Sequence, residues 1–327
     1  MEPKTETCNL GMKSYPKHVS LFFLFILLTL TLGLNRAYAI TITVGGQPAA
    51  LAFDSHLNEV FVANYASGTV SVVSDATNMV TAIVRVGTVP EGVAFDSHLN
   101  EVFVANAGSN TVSVIPDATK IVITTVTVGS FPFALAYDSH KNEVFVANYG
   151  SNTVSVISDA TNTVTRTIPV GSRPQGLAFD SYKNEIFVAN DGSDTVSVIS
   201  DTSNTIVATI TVGSHPYGVA FDSHKNEIFV TNIVSGTVSV ISDETNTDIT
   251  TVTVGSAPRE AVFDSHLNAV LVANAGSNTV SEISDTTNKV ITTMIVGNQP
   301  WGVALDTHKN EIFVTNTFSN TVSVLTG

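Results

Sequence analysis

A Val-Gly dipeptide returns every 42 residues, four Val-, Ile-, Thr- and Phe-rich runs lie between returns, and the last unit lacks its fourth run. Together these predict an all-β chain folded as a seven-bladed β-propeller with four-stranded antiparallel blades. The dipeptide begins at Val44, Val86, Val128, Val170, Val212, Val254 and Val296.

Residues 1–39 precede the repeats and have the layout of a signal peptide. Lys4, Lys13 and Lys17 come first, an apolar run of 14 residues follows from Leu21 to Leu34, and Ala37 and Ala39 form a small-x-small cleavage pattern. The run is shorter than the roughly 20 residues of a bilayer crossing, so a retained anchor is the lesser alternative. The reading is therefore a signal peptide over 1–39 and one propeller domain over 40–327, with no integral membrane span after cleavage. Cleavage also removes Cys8, the only cysteine, so packing rather than disulfides must hold the exported chain. It leaves ten basic against 26 acidic side chains, a net charge near −16. Such a surface argues against a nucleic-acid partner, which needs positive charge to meet phosphate.

Each unit reads as four strands, here taken in the unit that begins at Gly213. Strand a is YGVAF, strand b NEIFVTN, strand c GTVSVIS and strand d DITTVTV. They are rich in β-branched and aromatic residues and are separated by the turn formers DSHK, IVS, DETNT and GSHP. Strands b and c are apolar on both faces, as expected of a sheet covered on both sides. The sequence ends just after a strand c, TVSVLT, while ITITVG from Ile40 is a strand d with no strand c before it. The N-terminal strand of the mature chain is therefore expected to close the last blade, which removes the free sheet edges.

The elements FVAN and FVTN, followed by NTVSVIS and TVG, resemble the YVTN family of β-propeller repeats. The resemblance covers residues 40–327, with Phe for the family's Tyr and often Ala for its Thr. It implies a seven-bladed propeller, secreted or at the cell surface, of the kind found in archaeal surface layers. It implies no single activity, because propellers serve many functions.

Differences between the units locate the candidate site. The a–b and c–d turns share one face and repeat almost unchanged, whereas the d–a and b–c loops share the other face and vary. Before the proline of strand a stand Gln47, Val89, Phe131, Arg173, His215, Ala257 and Gln299, and after it Ala49, Glu91, Phe133, Gln175, Tyr217, Arg259 and Trp301. The second set is expected to ring the mouth of the central channel. Aromatic and charged groups converging on a concave end suit a ligand. The expected contacts are Glu91, Phe133, Gln175, His215, Tyr217, Arg259 and Trp301, with Tyr65, Tyr149, Asp191, Ile233 and Phe318 farther out. Ordinary drift of exposed loops is the competing explanation.

Blade 6 departs most from the shared pattern, with Glu260 in strand a, Glu282 for a valine of strand c, and Ala269 for the strand-b glutamate. The two acids read either as an acid/base pair or metal ligands near Arg259, or as a divergent blade whose acids find local partners. The stretch NDGSD from Asn190 is only a fragment of a calcium loop and reads as a turn.

The neighbours Asp54, Ser55 and His56 supply the three residue types of a hydrolytic triad, but they recur around the ring and sit too close together for a relay. They read as the a–b turn, and the histidines, one per blade, as too far apart to share a metal. No catalytic set and no metal set is assigned, although a divalent cation such as calcium is possible. The leading reading is an exported non-catalytic module that binds a protein, glycan or small molecule, or packs into a surface assembly. The alternative is a propeller enzyme, lactonase- or lyase-like, working in the channel mouth.

Overall fold

The computed structural model describes residues 40–326; the expected signal segment lies outside them. Seven four-stranded antiparallel sheets follow the predicted units. Blade 1 comprises strands a (Pro48–Asp54), b (Glu59–Asn64), c (Thr69–Ser74) and d (Met79–Arg85). Blade 7 takes a, b and c from Pro300–Asp306, Glu311–Asn316 and Thr321–Thr326, and its fourth strand is Ile40–Thr43. That strand pairs Ile40 with Val324 and Thr43 with Thr321. Among the described residues no helix is long and apolar enough to cross a membrane.

Apolar positions on both faces of strands b and c put the core between blades. Phe61, Ala63, Val70 and Val72 of blade 1 pack on Val93, Val102, Val104 and Ile115 of blade 2. Across the seam, Ile42, Phe313, Val322 and Val324 pack on Val60, Val62 and Val73. Six blades bury a strand-b phenylalanine completely, each worth roughly 1.5–3 kcal/mol, and blade 6 uses Leu271 there.

The Val-Gly dipeptide and the asparagine that ends strand b explain one another. Asn64 is fully buried, and its Nδ2 donates to Thr69 Oγ1 (3.2 Å) and Ser71 Oγ (3.0 Å), joining strands b and c. A Cβ on Gly45 would lie 2.5 Å from Asn64 Cγ, so only glycine fits over the carboxamide.

Blade 2 departs in its outer strand, which shrinks to Thr124–Thr127. Pro116 ends its strand c, where the other described blades carry serine or, in blade 7, threonine, and proline has no N–H for the ladder. Lys120 in the following turn instead reaches back to Glu59 of blade 1 at 2.9 Å.

The a–b turn is structural, as expected. Asp54 Oδ1 accepts the N–H of His56 (2.8 Å) and of Leu57 (3.2 Å), and Asn58 adopts a left-handed backbone with φ 56°. The histidine, however, serves the neighbouring blade: His56 Nδ1 lies 2.7 Å from Asp117 Oδ2 in the c–d turn of blade 2. The same bridge joins His98 to Asp159, His140 to Asp201, His224 to Asp285 and His308 to Asp75.

Candidate functional site

Strand a is innermost, and its first residues present the candidate site at the d–a and b–c face. The residue before each proline, from Gln47 through Gln299, has φ between 49° and 56°, a region costly to side chains and most of all to β-branched Val89. Loop asparagines of the preceding blade hold this geometry: Asn110 Oδ1 accepts the N–H of Phe131 and Asn278 Oδ1 that of Gln299, both at 2.8 Å. Asp194 does the same for His215 at 2.9 Å, and Asp191 Oδ1 lies 3.0 Å from His215 Nδ1. The NDGSD stretch is therefore a turn that holds its neighbour.

The residues after the proline in blades 3, 5, 6 and 7 build a stack across the channel. Phe133 meets Tyr217 edge-on at 5.6 Å between ring centroids, and Tyr217 meets Trp301 edge-on at 6.0 Å. The Arg259 guanidinium lies 3.9 Å from the centre of the Trp301 ring and 4.8 Å from that of Tyr217, so two aromatic faces hold the cation. Tyr217 is buried, and desolvation keeps its hydroxyl well above the usual tyrosine range. Its Oη and Arg259 Nε are both buried without a hydrogen-bond partner. A second aromatic group, Phe131 and Phe133 against Tyr149 with Arg173 over the Tyr149 ring at 5.8 Å, continues the rim on blades 3 and 4.

Two carboxyls share the field of Arg259. Burial pushes Glu91 up to about 8, against the pull of the guanidinium, and pushes Glu260 up to about 7 in the same way. Glu260 lines a cavity of about 80 Å³ in the channel with Ala50, Gly92, Ala134, Gly176 and Gly302. The glycines among them have a steric cause: a Cβ on Gly92 would lie 2.5 Å from the Phe133 carbonyl oxygen, and one on Gly176 closer still to that of Tyr217.

A larger cavity of about 330 Å³ opens where the ring carries its smallest member, Ala49. Trp301, Tyr65 and Phe318 give it apolar walls, while Glu91, Gln47, Gln299 and Thr317 give it polar ones. Gln299 Oε1 is buried there without a partner.

The predicted residues thus divide. Glu91 and Trp301 line the larger cavity, Phe133, Tyr217 and Arg259 form the stack behind it, and Gln175 is buried in the ring between Phe133 and Tyr217. His215 pairs with Asp191 instead. Glu282 is buried on strand c of blade 6, in register with Leu271, which itself faces Val262 of strand a. Two strand spacings, about 10 Å, therefore separate its strand from that of Glu260.

Sequence comparison between blades missed the threonines that anchor this face. Thr231 Oγ1 donates to the Arg259 carbonyl, Thr315 Oγ1 to that of Ala49, and Thr317 Oγ1 to that of Pro48 at 2.8 Å. The signal was present in FVTN, which stands for FVAN in blades 5 and 7 alone, the two next to Arg259 and Ala49.

Fold and site together define a seven-bladed β-propeller with a lined cavity at one channel mouth. A family profile described as a YNCE-like β-propeller matches residues 130–226, and over that stretch the chain is similar to it. No curated protein matches the chain. Among solved structures, hydrazine synthase of Kuenenia stuttgartiensis is similar with a TM-score of 0.79 at 19% identity, over 86% of this chain and 96% of that one. A streptogramin B lyase is similar with a TM-score of 0.76 at 11% identity, over 89% and 97%. At these identities the likeness is one of fold.

Proposed function

We propose that this chain is an exported binding module, secreted or held at the cell surface, whose ligand sits in the cavity over Ala49. The observation that carries the reading is the lining: three aromatic side chains, a buried carboxyl and an unpartnered amide oxygen around about 330 Å³. Apolar walls with a few fixed polar groups are what small-molecule and peptide-end sites use for contact area and orientation. The net charge of −14 for the whole sequence supports a partner other than nucleic acid. Packing into a surface assembly is a compatible use of the same face.

Trp301 is the only tryptophan in the sequence and lines the cavity, so its fluorescence reports on the site directly. A panel of cell-wall saccharides and short peptides is expected to contain a compound that changes this emission and raises the melting temperature. The reading fails if every such compound stabilises Glu91→Gln and Trp301→Ala as much as the parent.

One observation favours an enzyme as the second reading. Glu91 and Glu260, at about 8 and about 7, flank one guanidinium, an arrangement suited to acid/base work near neutral pH. Turnover of lactone or ester probes that Glu260→Gln abolishes would favour this reading; no turnover by the parent chain would dismiss it.

A further inference from the structure

The a–b turn of one blade meets the c–d turn of the next, and at five junctions this brings together an aspartate, a histidine and a second aspartate that neither blade contains alone; at two of them the donors close to within reach of a single ion. Asp138, His140 and Asp201 join blades 3 and 4, and Asp306, His308 and Asp75 join blades 7 and 1. In each trio the donor atoms all lie within 4.8 Å of one another. We propose that each trio binds a divalent transition ion of the zinc class, which clamps the two blades together.

The arrangement is more than a group of acids. Asp138 is fully buried; its Oδ1 accepts the N–H of His140 at 2.8 Å and of Lys141 at 3.2 Å, while its Oδ2 is buried without a partner. Asp306 has the same arrangement, with Oδ1 held by the N–H of His308 and Lys309 and Oδ2 left without a partner, and so do Asp54, Asp96, Asp180 and Asp222. What distinguishes the two trios is that the histidine and the second aspartate close on that carboxylate. His140 Nδ1 lies 2.6 Å from Asp201 Oδ2, and His308 Nδ1 lies 2.8 Å from Asp75 Oδ2. Both imidazoles are about half exposed, at 47% and 56%, so each ring has room to turn and admit an ion from solvent.

One imidazole and two carboxylates suit zinc, cobalt or manganese, and leave a coordination position for water. Calcium wants six to eight oxygens, more than either trio holds. The trio at blades 3 and 4 is the stronger of the two. Thr202 Oγ1 donates to Asp201 Oδ1 at 2.9 Å and orients that carboxylate, whereas at Asp75 the Lys309 ammonium already donates to the main-chain carbonyl.

The chain provides its own controls. Tyr182 takes the histidine position in blade 4, so a blade accepts tyrosine there, and His266 of blade 6 has Gly327 rather than aspartate 61 residues ahead. The experiment is titration of the full chain with Co²⁺, read by visible absorption, with Zn²⁺ as the displacing ion. Expected are two Co²⁺ per chain, loss of one with His140→Tyr, loss of the other with His308→Tyr, loss of both in the double variant, and no change with His266→Tyr. Asp138→Asn is a second route to the first site if His140→Tyr unfolds, as checked by circular dichroism. The proposal is overturned if the parent binds no Co²⁺, if the folded double variant keeps the absorption, or if His266→Tyr loses as much as His140→Tyr.

Discussion

The hydroxyl of Thr231 on blade 5 donates to the main-chain carbonyl of Arg259 on blade 6, so the residue that completes the aromatic stack is held in place from the next blade. The same oxygen accepts the N–H of Gly218 at 2.8 Å, making one threonine a link among three strands. Five blades carry alanine at this position, so Thr231→Ala leaves a familiar blade. We expect a loss of about 1 kcal/mol in urea unfolding, with one buried carbonyl left short of a donor. A larger effect is expected on the Trp301 emission, because Arg259 gains freedom to leave the ring.

Glu91 makes the fold sensitive to base. From the range where a free glutamate ionises up to about 8, the folded chain keeps a proton that the unfolded chain has released. The unfolded state then binds fewer protons, so stability falls as pH rises through this window. Glu260, at about 7, adds a change of the same sign. Urea unfolding of the parent is expected to lose on the order of a few kcal/mol between about pH 5 and about pH 9. Glu91→Gln should flatten the upper part of that slope, and an unchanged profile would show that Glu91 ionises normally in the fold.

Gly218→Ala tests the close approach of strands around the channel. The new methyl would sit 2.5 Å from the Arg259 carbonyl oxygen, an atom of rigid backbone. We expect a cost of about 1–3 kcal/mol and a lower melting temperature. The emission of Trp301 should change too, because the displaced strand carries its cation.

The closing strand offers a contrast within four residues. Ile42 is 5% exposed and packs with Val60, Phe313 and Val324, whereas Ile40 is 43% exposed. Ile42→Ala should cost about 2–4 kcal/mol, and Ile40→Ala should stay within about 0.5 kcal/mol. Thermal unfolding of the two variants compares the buried and open faces of one strand.

Much of this was legible in the sequence, for a physical reason. A 42-residue period with four β-rich runs has few ways to bury both faces of strands b and c, and the short last unit dictated which strand must return to close it. The ring of residues after each proline was legible as well, because strand direction fixes their height in the channel. What sequence left open is where side chains turn. Nothing in Arg259, Tyr217 and Trp301 as letters says that the cation lies on both rings, and nothing marks Ala49 as the place where space remains. The histidine bridges escaped notice because four of the five partners lie 61 residues on and that of His308 lies 233 residues back across the seam, offsets that comparing 42-residue units in register cannot reveal.

Because Ile40 pairs with Val324, the order in which the chain is synthesised matters for how it folds. A ribosome makes the closing strand before the other blades and its sheet partner after them, so the nascent polymer must keep Ile40–Thr43 unpaired in the interval. Among the described residues no other strand pairing spans so long a stretch of sequence, and contacts of such long separation slow folding. Until the two strands join, the polymer has two raw margins, one at each end of an incomplete circle, and two incomplete circles can join each other instead of themselves.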